Sequence, residues 1–227
     1  MSAFHPDIRL PRDVEAVIFD MDGVIFDTEQ LYQTALIKAV EEVGCVIDQP
    51  LLLSLVGMSW ANCQTLLHER YKDAIAADNL IGSWLAHFEK LAAKGPPLKA
   101  GVLELLQYLD DAGMARAIAT SAYRHDVDRN LDIHGLTHRF DAIVAHGDCP
   151  AAKPAPDPFI MAAALLEVAP PHCVAIEGSV HGIQAASDAG TMTIMIPDLI
   201  AATQQEIGRC VCIASDLHEV RAILQKR

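Results

Sequence analysis

The chain has 227 residues and a formal net charge of −13, with 52% hydrophobic and 21% charged residues. This length allows one large domain or a core domain with a smaller partner, and this composition argues against global disorder. The negative charge argues against a nucleic-acid partner or an anionic membrane surface, because both require a basic face. The protein could still bind an anionic small molecule if a bound cation or a lysine makes the electrostatic potential of the binding site positive. Nothing in the sequence indicates an oligomeric state.

The cysteines and the N-terminal region bear on the cellular compartment. Three of the six cysteines fall in apolar or strand-like stretches, where a thiol acts mostly as a small buried hydrophobe. Cys210 and Cys212 are too close together for the usual zinc-site spacing. The polar start of the chain lacks the apolar core of a signal peptide, and no run approaches the roughly 18 apolar residues of a membrane span. We therefore expect reduced thiols, no membrane partner and a cytoplasmic protein.

The first predicted strand, Val14–Phe19, is a short continuous apolar run. A helical block follows from Thr28 to about Lys94, where apolar residues recur three and four positions apart. The stretch KGPPLKAG, which ends at Gly101, breaks this block with glycines and prolines. Within the block we predict further helices over about Pro50–Val56, Trp60–Tyr71 and Ile75–Lys94.

Strand and helix patterns alternate after this break. The predicted strands are Ala115–Ala119, Asp141–Ala145, Cys173–Ile176 and Met192–Ile196. The predicted helices are Val102–Ala112, Arg124–His134, Asp157–Val168 and Val180–Ala189, with weaker elements around Arg209–Ile213 and Leu217–Lys226. This alternation predicts an α/β fold with a doubly wound parallel sheet and right-handed crossovers. We expect residues 1–27 and 98–227 to form this core and residues 28–97 to form an all-helical insertion.

Two carboxylates follow the first predicted strand, at the edge of the sheet where such folds bind ligands. Asp20 and Asp22 lie at positions i and i+2, so an extended backbone points both side chains to the same side. Their like charges require a positive partner. Mg²⁺ prefers oxygen ligands and commonly binds a substrate phosphate as well. The pair therefore predicts a Mg²⁺ site where one carboxylate attacks a phosphoryl group and the other transfers a proton, although both could simply be turn or capping residues.

Polar residues also follow the later strands, and each has a simpler interpretation. Thr120 and Ser121 could cradle an anion at a helix N-terminus, but an ordinary N-cap explains them equally well. Lys153, in the segment KPAPDPF, could be a solvated surface lysine. Alternatively, the prolines stiffen its loop and aim it at the crevice, where it would neutralise carboxylates and phosphate. Glu177 ends another strand and could serve only as a carboxylate at a helix start.

Four segments in this order resemble the four motifs of the haloacid dehalogenase superfamily: DMDGVIFDT, the strand end at Thr120, KPAPDPF and EGSVHGIQAASDAG. The helical insertion after the first motif is similar to the cap of the β-phosphoglucomutase and phosphoglycolate-phosphatase-like subfamily. The resemblance covers nearly the whole chain. It implies a Rossmann-like doubly wound core with an inserted all-helical cap domain, which would close over the site and read the leaving group.

The resemblance implies a role for each matching residue. Asp20 would be the nucleophile that forms an aspartyl-phosphate, and also a Mg²⁺ ligand. Asp22 would be the general acid/base, with its backbone carbonyl on the metal. Thr120 and the Ser121 amide would hold the phosphoryl oxygens, and Lys153 would bridge the nucleophile and the phosphate. The implied activity is a Mg²⁺-dependent phosphatase acting on a small phosphate ester, such as a sugar phosphate or a phosphoglycolate-like metabolite.

The fourth motif departs from the family pattern. It usually reads Glu-Asp-Ser, but this chain has Glu177-Gly178-Ser179 and so lacks an aspartate that normally binds the metal. Glu177 would have to serve as a metal ligand, or an extra water would fill the gap. An alternative function is therefore a catalytically weakened or inactive binding or regulatory protein, and Gly178 could also be an introduced substitution.

A phosphomutase is a further alternative, and the helical insertion argues against it. Tyr32 stands where such mutases carry a histidine, and the loop VGMSWANC contains no cation that could bind a second phosphate. Trp60 in this loop fits either the core of the insertion or a substrate contact. Dehalogenase chemistry is also disfavoured, because those enzymes lack the equivalent of Asp22.

Overall fold

The computed structural model describes residues 8–44, 46–55, 60–71, 74–198 and 202–226. The chain divides into two compact units, one formed by Met1–Phe26 with Leu98–Arg227 and the other by Asp27–Pro97. The strands are β1 (Ala16–Phe19), β2 (Ala115–Ala119), β3 (Ala142–Val144), β4 (Cys173–Glu177), β5 (Met192–Met195) and β6 (Cys212–Ile213). The helices are α1 (Thr28–Val43), α2 (Gln49–Ser54), α3 (Trp60–Arg70), α4 (Ala74–Ala92), α5 (Val102–Asp111), α6 (Arg124–Ile133), α7 (Asp157–Leu165), α8 (Val180–Asp188), α9 (Gln204–Arg209) and α10 (Leu217–Leu224).

The larger unit is built on a parallel sheet, which in the described residues has six strands in the order β3-β2-β1-β4-β5-β6. The chain runs from β1 outward to β2 and β3, then returns to β4 on the opposite side of β1. The predicted α/β fold with a doubly wound parallel sheet is therefore confirmed. The reversal places a topological switch point between β1 and β4, and ligands bind such sheets outside the carboxyl ends of the strands at that point.

Both faces of the sheet are covered by apolar side chains. Successive residues of a strand point to opposite faces, so Val17 and Phe19 join one buried cluster whereas Ala16 and Ile18 join another. The first cluster includes Leu105 of α5 and branched residues of α10, and the second is rich in alanines of α7 and α8. Burial on both faces explains why the strands read as continuous apolar runs instead of alternating patterns.

The carboxyl-terminal part of the larger unit differs from the prediction. The weak element expected around Arg209–Ile213 is only the two-residue strand β6, and a helix not predicted from the sequence, α9, precedes it. Thr203 and Glu206 form a capping box at the start of α9, because the side chain of each residue accepts a hydrogen bond from the backbone N–H of the other. This local signal outweighs the weak apolar periodicity of the segment.

Within the described residues of Asp27–Pro97, every regular element is a helix. Helix α1 begins at the N-cap Asp27, whose carboxylate accepts the backbone N–H of Gln30, and it ends at Gly44, which adopts φ = 72°. Helices α1 and α4 share a buried cluster that includes Leu36 and Trp84. None of the described helices combines the length and the apolar character needed to cross a bilayer.

Candidate active site

Strand register brings two acidic residues together at the switch point. Phe19 of β1 pairs with Ile176 of β4, so Asp20 and Glu177 follow at the same level of neighbouring strands. The backbone N–H of Asp20 donates to the carbonyl of Ile176 at 2.9 Å, which extends the strand pairing to the first site residue. Asp20 is 7% exposed and Glu177 is fully buried. Two carboxylates this deep in a protein require a compensating positive charge.

Lys153 supplies that charge from the loop between β3 and α7. Its Nζ donates to Asp20 Oδ1 at 2.8 Å and to Glu177 Oε1 at 2.5 Å, and its side chain is 5% exposed. The ammonium also lies 5.0 Å from the ring centroid of Phe159, in the first turn of α7. Such a contact between a cation and an aromatic face is favourable and helps to fix the lysine. These contacts define a buried charge triad of Asp20, Lys153 and Glu177.

The second oxygen of Glu177 is bound by the start of α8. Oε2 accepts hydrogen bonds from the backbone N–H of Gly178 at 3.0 Å and of Ser179 at 3.1 Å, and from the Ser179 hydroxyl at 3.1 Å. Ser179 is also the N-cap of α8, because its Oγ accepts the N–H of Gly182 at 3.0 Å. Free amides at a helix N-terminus stabilise a negative charge. Both oxygens of Glu177 are therefore engaged within the protein.

The triad carries more negative than positive charge. Burial, followed by the negative charge of Glu177, raises the pKa of the Asp20 carboxyl to about 7, although Lys153 opposes this shift. Asp22 adds a smaller repulsion to Asp20. Burial alone would lower the pKa of Lys153, but the two adjacent carboxylates outweigh it and raise that pKa above its ordinary value. The site therefore favours a further cation.

The available donors suit a magnesium ion but are few. The carboxylate of Asp20 and the backbone carbonyl of Asp22 are oxygen donors of the kind that Mg²⁺ prefers. Gly178 contributes no side chain, and in the described part of the chain no group of three or more His, Cys, Asp or Glu side chains could hold a metal. Glu177 could supply a third oxygen, because its Oε1 accepts the hydrogen bond from Lys153 and a carboxylate oxygen has two lone pairs. The donor chemistry fits Mg²⁺, with fewer protein ligands than a complete acidic site would offer.

The remaining predicted core residues lie at neighbouring strand ends. Thr120 directly follows β2 and is 4% exposed. Its hydroxyl accepts the backbone N–H of Ala122 at 3.1 Å, so it caps its own turn. Ser121 and Asp22 are exposed. Direct contacts thus join Asp20, Lys153 and Glu177. The contact between Lys153 and Glu177 was not predicted, and only the small residues of EGSVHGIQ hinted that α8 packs closely there.

The predicted residues of the helical unit are partly described. Tyr32 stacks on Phe88 with ring centroids 4.1 Å apart, and its backbone carbonyl accepts the indole N–H of Trp84 at 2.9 Å. Tyr32 and Trp84 also line a small cavity with Glu29. Residues 56–59 of the loop VGMSWANC and the side chain of Trp60 lie outside the described residues, so the roles weighed for that loop stay predictions.

Glycine at position 182 is a packing requirement of this site. A Cβ built there would lie 1.8 Å from Glu177 Oε1, far inside contact distance, whereas a Cβ at Gly208 of α9 meets nothing within 4 Å. We expect Gly182→Ala to displace the Glu177 carboxylate and to lower the free energy of unfolding by about 3 kcal/mol, as for other broken buried ion pairs. The matched variant Gly208→Ala should be neutral or raise it by about 0.5 kcal/mol. Urea unfolding followed by circular dichroism distinguishes them, and equal effects would contradict the packing argument.

The raised pKa of Asp20 predicts how stability depends on pH. The folded protein holds this proton up to about pH 7, whereas the ordinary value is 3.8, so the group makes folding less favourable as pH rises through that window. Asp20→Asn cannot ionise, and we expect it to be more stable than the parent at pH 8 in EDTA. The difference in the free energy of unfolding between the variant and the parent should vanish below about pH 4, where the Asp20 carboxyl is protonated and as neutral as the asparagine that replaces it. Urea unfolding across this pH range tests the prediction, and a less stable variant at pH 8 would refute it.

Comparisons with known proteins agree with the fold. A family profile described as haloacid dehalogenase-like hydrolase matches residues 17–196. Hexitol phosphatase B of Escherichia coli K12 is 29% identical over 189 residues, covering 82% of this chain and 85% of that protein. A phosphorylated carbohydrates phosphatase of Thermotoga maritima is 31% identical over 179 residues, covering 78% and 82%. A crystal structure of a HAD family hydrolase from Deinococcus radiodurans R1, with bound phosphate and sodium, matches with a TM-score of 0.78 at 25% identity, covering 94% and 96% of the two chains.

These matches confirm the resemblance seen in the sequence motifs. The profile spans most of the chain, and it begins within β1 and ends directly after β5, so it contains every residue of the charge triad. This chain therefore belongs to the haloacid dehalogenase-like hydrolase family.

Proposed function

We propose that the protein is a Mg²⁺-dependent phosphatase that hydrolyses a small phosphate monoester through an aspartyl-phosphate on Asp20. The observation that carries this proposal is the Lys153 ammonium, 2.8 Å from the Asp20 carboxylate at the switch point of the sheet. Two relatives are named as phosphatases of hexitols and of phosphorylated carbohydrates, which favours a sugar phosphate or a similar metabolite as the substrate.

In the first half-reaction, a carboxylate oxygen of Asp20 attacks the phosphorus of the substrate. The bond between phosphorus and the ester oxygen breaks, and Asp22 donates a proton to the departing alcohol. Lys153 keeps the nucleophile in place and puts a positive charge beside the phosphoryl oxygens, while Glu177 holds Lys153. Thr120 and the Ser121 amide would donate hydrogen bonds to those oxygens. Positioning and charge neutralisation of this kind supply most of the catalysis in phosphoryl transfer.

In the second half-reaction, water attacks the phosphorus of the aspartyl-phosphate. Asp22, now ionised, accepts the water proton, and the Asp20 carboxylate leaves as inorganic phosphate forms. Asp22 can exchange this proton with solvent because its side chain is exposed, whereas Asp20 is buried. A bound magnesium ion would neutralise phosphoryl charge and favour ionised Asp20. The Asp20 carboxylate and the Asp22 carbonyl would hold it, with Glu177 as the third candidate ligand.

Gly178 supports a second candidate function, a binding or regulatory protein with weak or absent turnover. The side chain that would complete the metal site is missing, and both Glu177 oxygens accept hydrogen bonds within the protein.

A phosphomutase stays a further alternative. Tyr32, which stands where such mutases carry a histidine, is stacked on Phe88. A coupled assay for sugar-phosphate isomerisation would detect mutase activity directly.

A phosphatase screen tests the leading proposal. We expect release of inorganic phosphate from p-nitrophenyl phosphate or from members of a sugar-phosphate panel in the presence of Mg²⁺, and loss of that release in EDTA. Asp20→Asn should reduce turnover by at least about 10³-fold, because it removes the nucleophile. Activity that survives this substitution would exclude the aspartyl-phosphate mechanism. No turnover in the parent with any substrate would favour the binding protein.

Restoring an aspartate at position 178 tests the metal site. A Cβ at Gly178 would lie 3.1 Å from the carbonyl oxygen of Ile196, so the backbone there must shift by a few tenths of an ångström to accept it. We expect Gly178→Asp to tighten Mg²⁺ binding by roughly 10-fold or more, in line with the losses seen when the surroundings of a metal are altered. Isothermal titration with Mg²⁺ measures this without any substrate. Gly178→Ala is the matched control, and an equal change in both variants would contradict the assignment.

A further inference from the structure

The segment after Asp20 folds into a tight turn that presents Asp22. The backbone N–H groups of Ile25 and Phe26 donate to the carbonyl of Met21 at 2.9 and 3.0 Å, and the N–H of Gly23 donates to the carbonyl of Phe26 at 2.8 Å. Asp22 lies between the acceptor Met21 and the donor Gly23, and its side chain is exposed. Its direction therefore depends on how firmly the turn is held.

One contact holds this turn through the backbone. The chain re-enters the larger unit at Leu98, which forms an antiparallel bridge with Phe26. The next residue, Lys99, donates its backbone N–H to the carbonyl of Ile25 at 2.9 Å. Residues Ile25 and Phe26 of the turn are therefore held by backbone contacts to the segment that carries the Lys99 side chain.

A second contact reaches the turn from the end of β5. Lys99 Nζ donates to Asp198 Oδ1 at 2.8 Å, and the two side chains are 20% and 15% exposed. Asp198 Oδ2 packs against Gly23, which adopts φ = 78°, and would lie 3.1 Å from a Cβ at that residue. Lys99 and Asp198 thus contact the turn at Ile25 and Gly23 and are joined to each other by an ion pair.

The burial of this pair indicates more than ordinary surface stabilisation. Asp198 Oδ2 is buried and has no hydrogen-bond partner among the described residues. A carboxylate oxygen in that situation is held at a cost in free energy, since water would solvate it better. An exposed ion pair contributes about 0.2–1 kcal/mol, which is too little to offset the cost of burying a carboxylate oxygen without a hydrogen-bond partner.

We propose that Lys99 and Asp198 form a positioning pair that fixes the turn Met21–Phe26 and so aims Asp22 for proton transfer. Neither residue is among those that would touch the phosphoryl group, so each acts through the turn. This inference rests on the proposed phosphatase function, in which Asp22 is the general acid/base.

Hydrogen exchange and kinetics together test the pair. Asp198→Asn keeps the shape of the side chain and removes its charge, and Lys99→Met removes the ammonium. In both variants we expect faster amide exchange in the peptide that spans residues 21–27. We also expect kcat to fall roughly 10-fold with KM nearly unchanged, because small misplacements of a catalytic group have effects of this size or larger. Lys99→Arg keeps the charge and should retain most of kcat.

Asp188→Asn is the matched control, because it breaks the ion pair with Arg209 at 2.7 Å in the same unit. It should change neither the exchange of residues 21–27 nor kcat. Unchanged exchange in Asp198→Asn and Lys99→Met would overturn the proposal, and so would an active parent whose kcat is insensitive to both substitutions. If the parent hydrolyses no phosphate ester, the proposed function fails on its own, and the exchange comparison alone decides whether the pair holds the turn.

Discussion

The site depends on one ammonium group placed between two buried carboxylates. Lys153 is the positive partner that lets Asp20 and Glu177 share the carboxyl ends of adjacent strands, and its own burial is tolerated only because both carboxylates face it. The parallel register of β1 and β4 sets the spacing of the acids, and the loop before α7 brings the lysine between them. The sheet and this loop are therefore coupled through charge as well as through packing. Loss of the Lys153 ammonium would leave two carboxylates in the interior without their positive partner.

The two glycines near Glu177 have different physical meanings. Gly182 is required by space, because its missing side chain is the room that the Glu177 carboxylate occupies. Gly178 is not required in this way, since a Cβ there meets only a close carbonyl oxygen that a small shift would relieve. The first glycine makes room for the triad, and the second leaves the proposed metal site without a side-chain oxygen at position 178. For this reason the packing around Glu177 can be intact while the proposed metal site is incomplete.

The sequence predicted the strands of the sheet well, because strands buried on both faces are continuous apolar runs between turn residues. It also pointed to Asp20, Thr120 and Glu177, since polar residues directly after such runs lie at one edge of a parallel sheet. It did not predict that Glu177 binds Lys153, or that Lys99 binds Asp198, because these contacts join loops that are far apart in the chain and leave no periodic pattern. Helix α9 was missed for a different reason: its signal is the capping box of Thr203 and Glu206, which apolar periodicity does not detect.

Charge links the substrate to the cation in the proposed reaction. A phosphate monoester brings about two negative charges at neutral pH, into a site where the one buried ammonium already faces two carboxylates. Burial, and then the negative charge of Glu177, raise the pKa of Asp20 to about 7, so the site disfavours negative charge even before a substrate enters. Added positive charge therefore favours both the ionised nucleophile and the bound phosphate, so the binding of cation and substrate should reinforce each other. In the proposed reaction Gly178 would therefore limit turnover through the affinity for the cation, while Asp20, Lys153 and Glu177 would keep the arrangement needed for attack on phosphorus.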